Sequence, residues 1–89
     1  CAAGRGRVDL AIEYAKQWHI IEIKLLRAHD SPEEILAEGL AQISRYRDRI
    51  APQAPAYLFI FDRRPETRKK PWDERISWKM EGTVRVVGC

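Results

Sequence analysis

Two runs near the N-terminal end alternate strictly between apolar and polar residues, and that alternation limits the fold more than anything else in the chain. In residues 7–14, Val8, Leu10, Ile12 and Tyr14 share one face, while Asp9, Ala11 and Glu13 share the other. After the short polar break Ala15-Lys16-Gln17, residues 18–25 repeat the pattern and are rich in β-branched and aromatic types. There Ile21, Ile23 and Leu25 face one way and Glu22 and Lys24 the other. Two strands so close in sequence form a hairpin, and its register follows from parity. Directly opposed residues lie on the same face of a sheet. The apolar set is even-numbered in the first strand and odd-numbered in the second. Both reach one core only if paired positions have an odd sum, and we expect that shared apolar face to be the one packed on the core. The same register gathers Asp9, Glu22 and Lys24 on the opposite face, provided no bulge interrupts it.

The rest of the chain reads as β-β-α-β-loop-β-β. Ser31-Pro32-Glu33-Glu34 combines a capping hydroxyl, a proline suited to the first helical position and acidic residues that complement the helix dipole. Leu36, Leu40, Ile43 and Ile50 then recur at helical spacing, and Pro52 and Pro55 end the helix expected over 31–50. Residues 56–62 are a nearly continuous apolar run, as in a strand covered on both faces. Residues 63–73 read as a charged loop. Residues 75–81 alternate, with Ile76, Trp78 and Met80 on one side, and Gly82-Thr83 turns the chain into a last strand over 84–87. The expected fold class is α/β, a mixed sheet with one main helix (β-β-α-β-β-β). Residues 1–6 read as a flexible lead-in to a single domain.

Composition excludes several classes. Apolar residues at 45% and charged residues at 33% suit a folded domain rather than a disordered segment. No apolar run approaches the roughly 18 residues of a membrane span, and no signal-peptide pattern is present. The expected location is cytoplasmic. The two cysteines, Cys1 and Cys89, have no ligand-type neighbours in sequence and read as free thiols, the alternative being a disulfide joining the ends if they meet in space. Because the chain opens on Cys1, it reads as a processed form or a piece of a longer protein. His19 and His29 lack ligand spacing. Trp72 and Trp78 read as core or contact aromatics. The net charge of +3 is compatible with an anionic partner.

Two carboxylates offer the hard oxygens that Mg²⁺ or Mn²⁺ prefers, and a neighbouring amine can stabilise developing negative charge. Such a trio is suited to phosphodiester hydrolysis. The competing reading is a solvated strand face with mixed charges. Gln42 and Tyr46 stand four residues apart on the helix and therefore project from one side. In order, Gly6-Arg7-Val8-Asp9-Leu10, Ile21-Glu22-Ile23-Lys24 and Gln42-Ile43-Ser44-Arg45-Tyr46 resemble the motifs of the PD-(D/E)XK nuclease superfamily. The last element is similar to the Gln-x-x-x-Tyr of its RecB-like branch. The stretches Phe61-Asp62-Arg63-Arg64 and 70–76 are similar to nuclease domains at the C-termini of prokaryotic AAA-type ATPase-like proteins.

This resemblance implies a truncated restriction-endonuclease-like core that hydrolyses phosphodiester bonds, in DNA, with Mg²⁺ or Mn²⁺. It implies Asp9 and Glu22 as metal ligands together with the Ile23 carbonyl, Lys24 as the catalytic lysine, and Gln42 and Tyr46 as supports or backbone contacts. The chain differs from the family in lacking the opening helix and strand of an α-β-β-β-α-β core, and in having Val8 where the motif has proline. Arg63, Arg64, Arg68, Lys69 and Lys70 form a basic stretch suited to phosphate contact, or simply a solvated loop. No Gly-rich phosphate loop is present, so any ATPase domain would lie elsewhere in a longer chain. The alternative function is a non-catalytic nucleic-acid-binding or oligomerisation module attached to such an ATPase. A sheet with an open edge and an apolar second face leads us to expect a homodimer, unless Trp78 and Met80 fold over that face.

Overall fold

The computed structural model describes residues 7–89, with side chains from Leu10 onward. The flexible lead-in expected over residues 1–6, Cys1 within it, and the Asp9 side chain lie outside the described residues. The chain runs β1 (Arg7–Tyr14), β2 (Gln17–Leu26), α1 (Pro32–Arg49), β3 (Ala56–Asp62), α2 (Pro65–Arg68), α3 (Trp72–Arg75), β4 (Ser77–Glu81) and β5 (Val84–Gly88). The strands form one mixed sheet in the order β1-β2-β3-β5-β4, with β2, β3 and β5 parallel and a strand antiparallel at each edge. The fold is therefore α/β. Among the described residues no helix is long and apolar enough to cross a membrane.

The first hairpin has the register that parity requires. Asp9 pairs with Glu22, Leu10 with Ile21 and Ile12 with His19. Tyr14 pairs with Gln17, so the loop is only Ala15-Lys16, and both residues take positive φ, 53° and 65°. Two-residue hairpin loops need that left-handed conformation to match the twist of their strands.

Helix α1 starts where its cap demands. The Glu34 amide donates to Ser31 Oγ at 3.3 Å, while the Ser31 hydroxyl donates to Glu33. At the other end the Ile50 amide donates to the Tyr46 carbonyl. The helix crosses back over β2 and β3 and comes close to β3 at Gly39. A Cβ on Gly39 would stand 2.6 and 2.7 Å from the Leu58 methyls. Glycine here lets the helix axis settle against β3. Arg47 ties the helix to the far hairpin, donating to the Ala54 carbonyl at 3.0 Å and to Thr83 Oγ1 at 2.7 Å.

Parity fixes which residues share a face, but the helix takes the face opposite to the one expected. It covers Ile20 and Leu26 of β2, Ala56 and Leu58 of β3, and Val84 and Val86 of β5, all of which are buried. Each cross-strand pair agrees: Ile20 with Ala56, Glu22 with Leu58, Leu58 with Val86. The connection decides the matter: α1 joins two parallel strands, and the hand of that crossover sets the face on which the helix lies, whichever side of the first hairpin is more apolar. Ile21, Ile23 and Leu25 therefore lie on the far face with Leu10 and Ile12.

Three further expectations are corrected. The C-terminal hairpin does not fold over the second face. It extends the sheet edgewise, leaving Trp78 71% and Met80 48% exposed. Ile76 is not a strand residue with them but the C-cap of α3. The charged stretch 63–73 is not a plain loop, because it holds α2 and the start of α3. Arg75 organises it, donating to the carbonyls of Lys70 and Arg68 and lying 4.7 Å over the Trp72 ring.

Gly39 gives a direct test of this packing. Gly39→Val should lower unfolding free energy by about 1–3 kcal/mol in urea denaturation, since the branched side chain must displace fully buried Leu58. Unchanged stability would mean that the helix does not approach β3 there.

Candidate functional site

On a half-exposed strand, Glu22 and Lys24 would point to water. Here α1 covers them, and their residues are 0% and 4% exposed. Charged side chains are almost never fully buried unless paired. Lys24 Nζ stands 4.0 Å from Glu22 Oε2 and 3.4 Å from Glu38 Oε1. Strand β2 positions the first two and α1 the third. The solvated strand face is therefore excluded for Glu22 and Lys24. On β1, Asp9 occupies the register position directly across from Glu22.

Glu38 is the member that sequence reasoning missed. Its side chain is 61% exposed, so it is where the buried pair meets solvent. Glu38, Gln42 and Tyr46 succeed one another at intervals of four along α1, one line on the helix surface. That spacing, counted back from Gln42, was the available signal. Tyr46 is half-buried and packs against the core, and Arg49 lies 5.7 Å over its ring. Gln42 is half-buried, and its Oε1 accepts a hydrogen bond from Arg45. Ile23 lies between the two charged residues with its side chain on the opposite face.

Among the described residues, no three His, Cys, Asp or Glu side chains come together as a metal-holding group. The donor set described so far is Glu22 and Glu38 around the Lys24 ammonium.

The basic stretch divides into two parts. Arg64 turns inward, its Nε and Nη2 donating to the two oxygens of Asp62 at 2.9 and 2.7 Å. The Arg64 amide and the Thr67 hydroxyl donate to the same carboxylate. The Arg64 guanidinium, with this support, holds the Asp62 carboxyl well below its ordinary range, at about 2. Arg64 thus serves to fix the chain after β3. Arg63, Arg68, Lys69 and Lys70 are exposed. Cys89 is a free, half-buried thiol, and burial raises its pKa.

A cleft of about 400 Å³ lies between the start of α1 and β4, lined by Leu26, Glu33, Asp62, Arg75 and Lys79 among others. Neither Glu22 nor Lys24 borders it. Glu22 and Lys24 are enclosed under α1, whereas this groove is open to solvent. Comparison with known protein families, curated proteins and solved structures found no match to this chain.

Burying an ion pair costs more desolvation than its attraction returns in many proteins, whereas removing one partner leaves a costly lone charge. The double variant Glu22→Leu, Lys24→Met should therefore be at least as stable as wild type in urea. Lys24→Met alone, which removes the ammonium beside a buried carboxylate, should lose about 3 kcal/mol. A double variant less stable than wild type would mean that the pair is held for stability.

Proposed function

We propose that the protein is a metal-dependent nuclease that hydrolyses phosphodiester bonds in DNA, on a truncated restriction-endonuclease-like core of the PD-(D/E)XK superfamily. One observation carries this reading: an acid and a lysine two residues apart are buried together under a helix, and a second acid occupies the position across the hairpin. A solvated charge pattern has no reason to be covered, while a reaction centre gains from low dielectric, in which a fixed charge acts strongly on a reacting group.

The donor chemistry fits Mg²⁺ or Mn²⁺. Glu22 and Asp9 would supply hard carboxylate oxygens, with the Ile23 carbonyl as a further donor of the same kind. Such an ion, when bound, polarises a phosphate and lowers the pKa of a coordinated water. The chain's own groups do the rest. Lys24 presents a cation, held between Glu22 and Glu38, to the negative charge that grows on a phosphate under attack. Glu38 fixes the direction of that ammonium and connects it to solvent. Gln42 and Tyr46, farther along the same line of α1, would steady the helix over the site or meet the nucleic-acid backbone. Exposed Arg63, Arg68, Lys69 and Lys70 would attract the polyanion in a salt-dependent way.

Cleavage of end-labelled duplex and single-stranded DNA with Mn²⁺ or Mg²⁺ tests the proposal. Wild type should cut with metal and not with chelator, and Lys24→Ala and Glu22→Gln should each lower kcat at least about 100-fold. No cutting by wild type, or variants that cut as fast, would overturn it and favour a binding module.

A further inference from the structure

The sheet has two faces, and among the described residues only one is covered. On the other, Ile23, Phe59, Val87 and Trp78 stand in one row across four strands. In the next row Leu10, Ile21 and Tyr57 lead to Arg85 and Met80. Arg85 is the sole formal charge among the described strand residues of this face. All-parallel sheets have both faces covered, and the centre of this sheet, β2, β3 and β5, is parallel. The molecule measures 41 × 29 × 20 Å, and the shortest dimension has room for two layers, one helix and one sheet.

We infer that this open face is the interface of a homodimer, in which two sheets stack face to face with the helices outside. Size supports a second copy. Five strands about 4.8 Å apart and roughly 20 Å long project on the order of 480 Å², and side-chain relief adds to that. Stable interfaces bury from roughly 600 Å² on each partner, so this face lies at the threshold when used whole. A twisted sheet of equal size and shape can use it whole, in an aligned sandwich.

Charge supports it too. A two-fold contact brings a face onto itself, and a face without acidic groups offers nothing to a basic partner. With the axis along β3, β5 of one copy lies over β2 of the other. The two Arg85 side chains are then held apart on either side of an apolar centre. Depletion of charge at the centre, with aromatics present, is the composition of homodimer interfaces. The arrangement leaves Glu22, Lys24 and Glu38 on the outer layers, so each copy keeps its own site.

Light scattering and sedimentation of the 89-residue chain over micromolar concentrations test the dimer. Wild type should approach twice 10.4 kDa. Trp78→Glu and Met80→Glu alter exposed side chains and should leave the circular dichroism spectrum unchanged while weakening association at least about tenfold. Asp48→Ala, at an exposed position on α1 in the outer layer, should leave association unchanged. A mass near 10.4 kDa at every concentration would overturn the inference and assign the face to another occupant. A dimer indifferent to both face variants would overturn it as well.

Discussion

The interaction on which the rest of the structure turns is the close seat of α1 on the sheet at Gly39 and Leu58. With no side chain at Gly39, the helix comes down onto β3, and whatever lies on that face of β2 is enclosed. The enclosed residues include Ile20 and Leu26, which a core would choose, and Glu22 and Lys24, which it would not. Shifting the helix outward by one methyl group's width would admit water to the charges and loosen the apolar contacts together. Stability and the proposed chemistry therefore share one constraint. Glu38 sits on the turn of α1 that makes the approach, next to Gly39 in sequence, and this places its carboxylate at the Lys24 ammonium.

Topology makes that seat available. Strand β2 passes through α1 to a parallel β3, and a connection of this kind lays its helix flat on one face of the sheet. The antiparallel β1 then sets Asp9 at the register position beside Glu22. The second half of the chain completes the sheet without adding a layer. Segment 63–76 is held by Asp62 and Arg64 at one end and by Arg75 at the other. The following hairpin is consequently delivered to the β3 edge of the sheet, where β5 pairs and β4 becomes the outer strand, with Trp78 exposed.

Much of this was legible in the sequence. The hairpin register followed from parity alone, because a one-residue slip would have divided the apolar residues between faces. Ser31 and Pro32 located the start of α1, and the unbroken apolar run located β3. The face chosen by the helix was not legible. Alternation says which residues travel together, but the choice is made by the hand of the crossover from β2 through α1 to β3, which no local pattern records. The first hairpin, read by itself, offered its apolar side to the core, and tertiary packing overrode it. The same override made Glu22 and Lys24 buried rather than solvated. Helices α2 and α3 were too short for any periodicity to register. Glu38 escaped notice because an acidic residue on a helix flank is usually a surface charge, and nothing local marks it as the partner of a strand lysine.

The central claim is that the buried Glu22 and Lys24 form a reaction centre that takes a divalent ion. Titration of the ¹⁵N-labelled protein with Mn²⁺, read as paramagnetic broadening of amide resonances, tests it without requiring substrate. The account predicts broadening centred on Asp9, Glu22, Ile23 and Lys24, abolished by Glu22→Gln while the rest of the spectrum is kept. Broadening that gathers instead at exposed acids such as Glu33 and Glu34, or that survives Glu22→Gln unchanged, would contradict it.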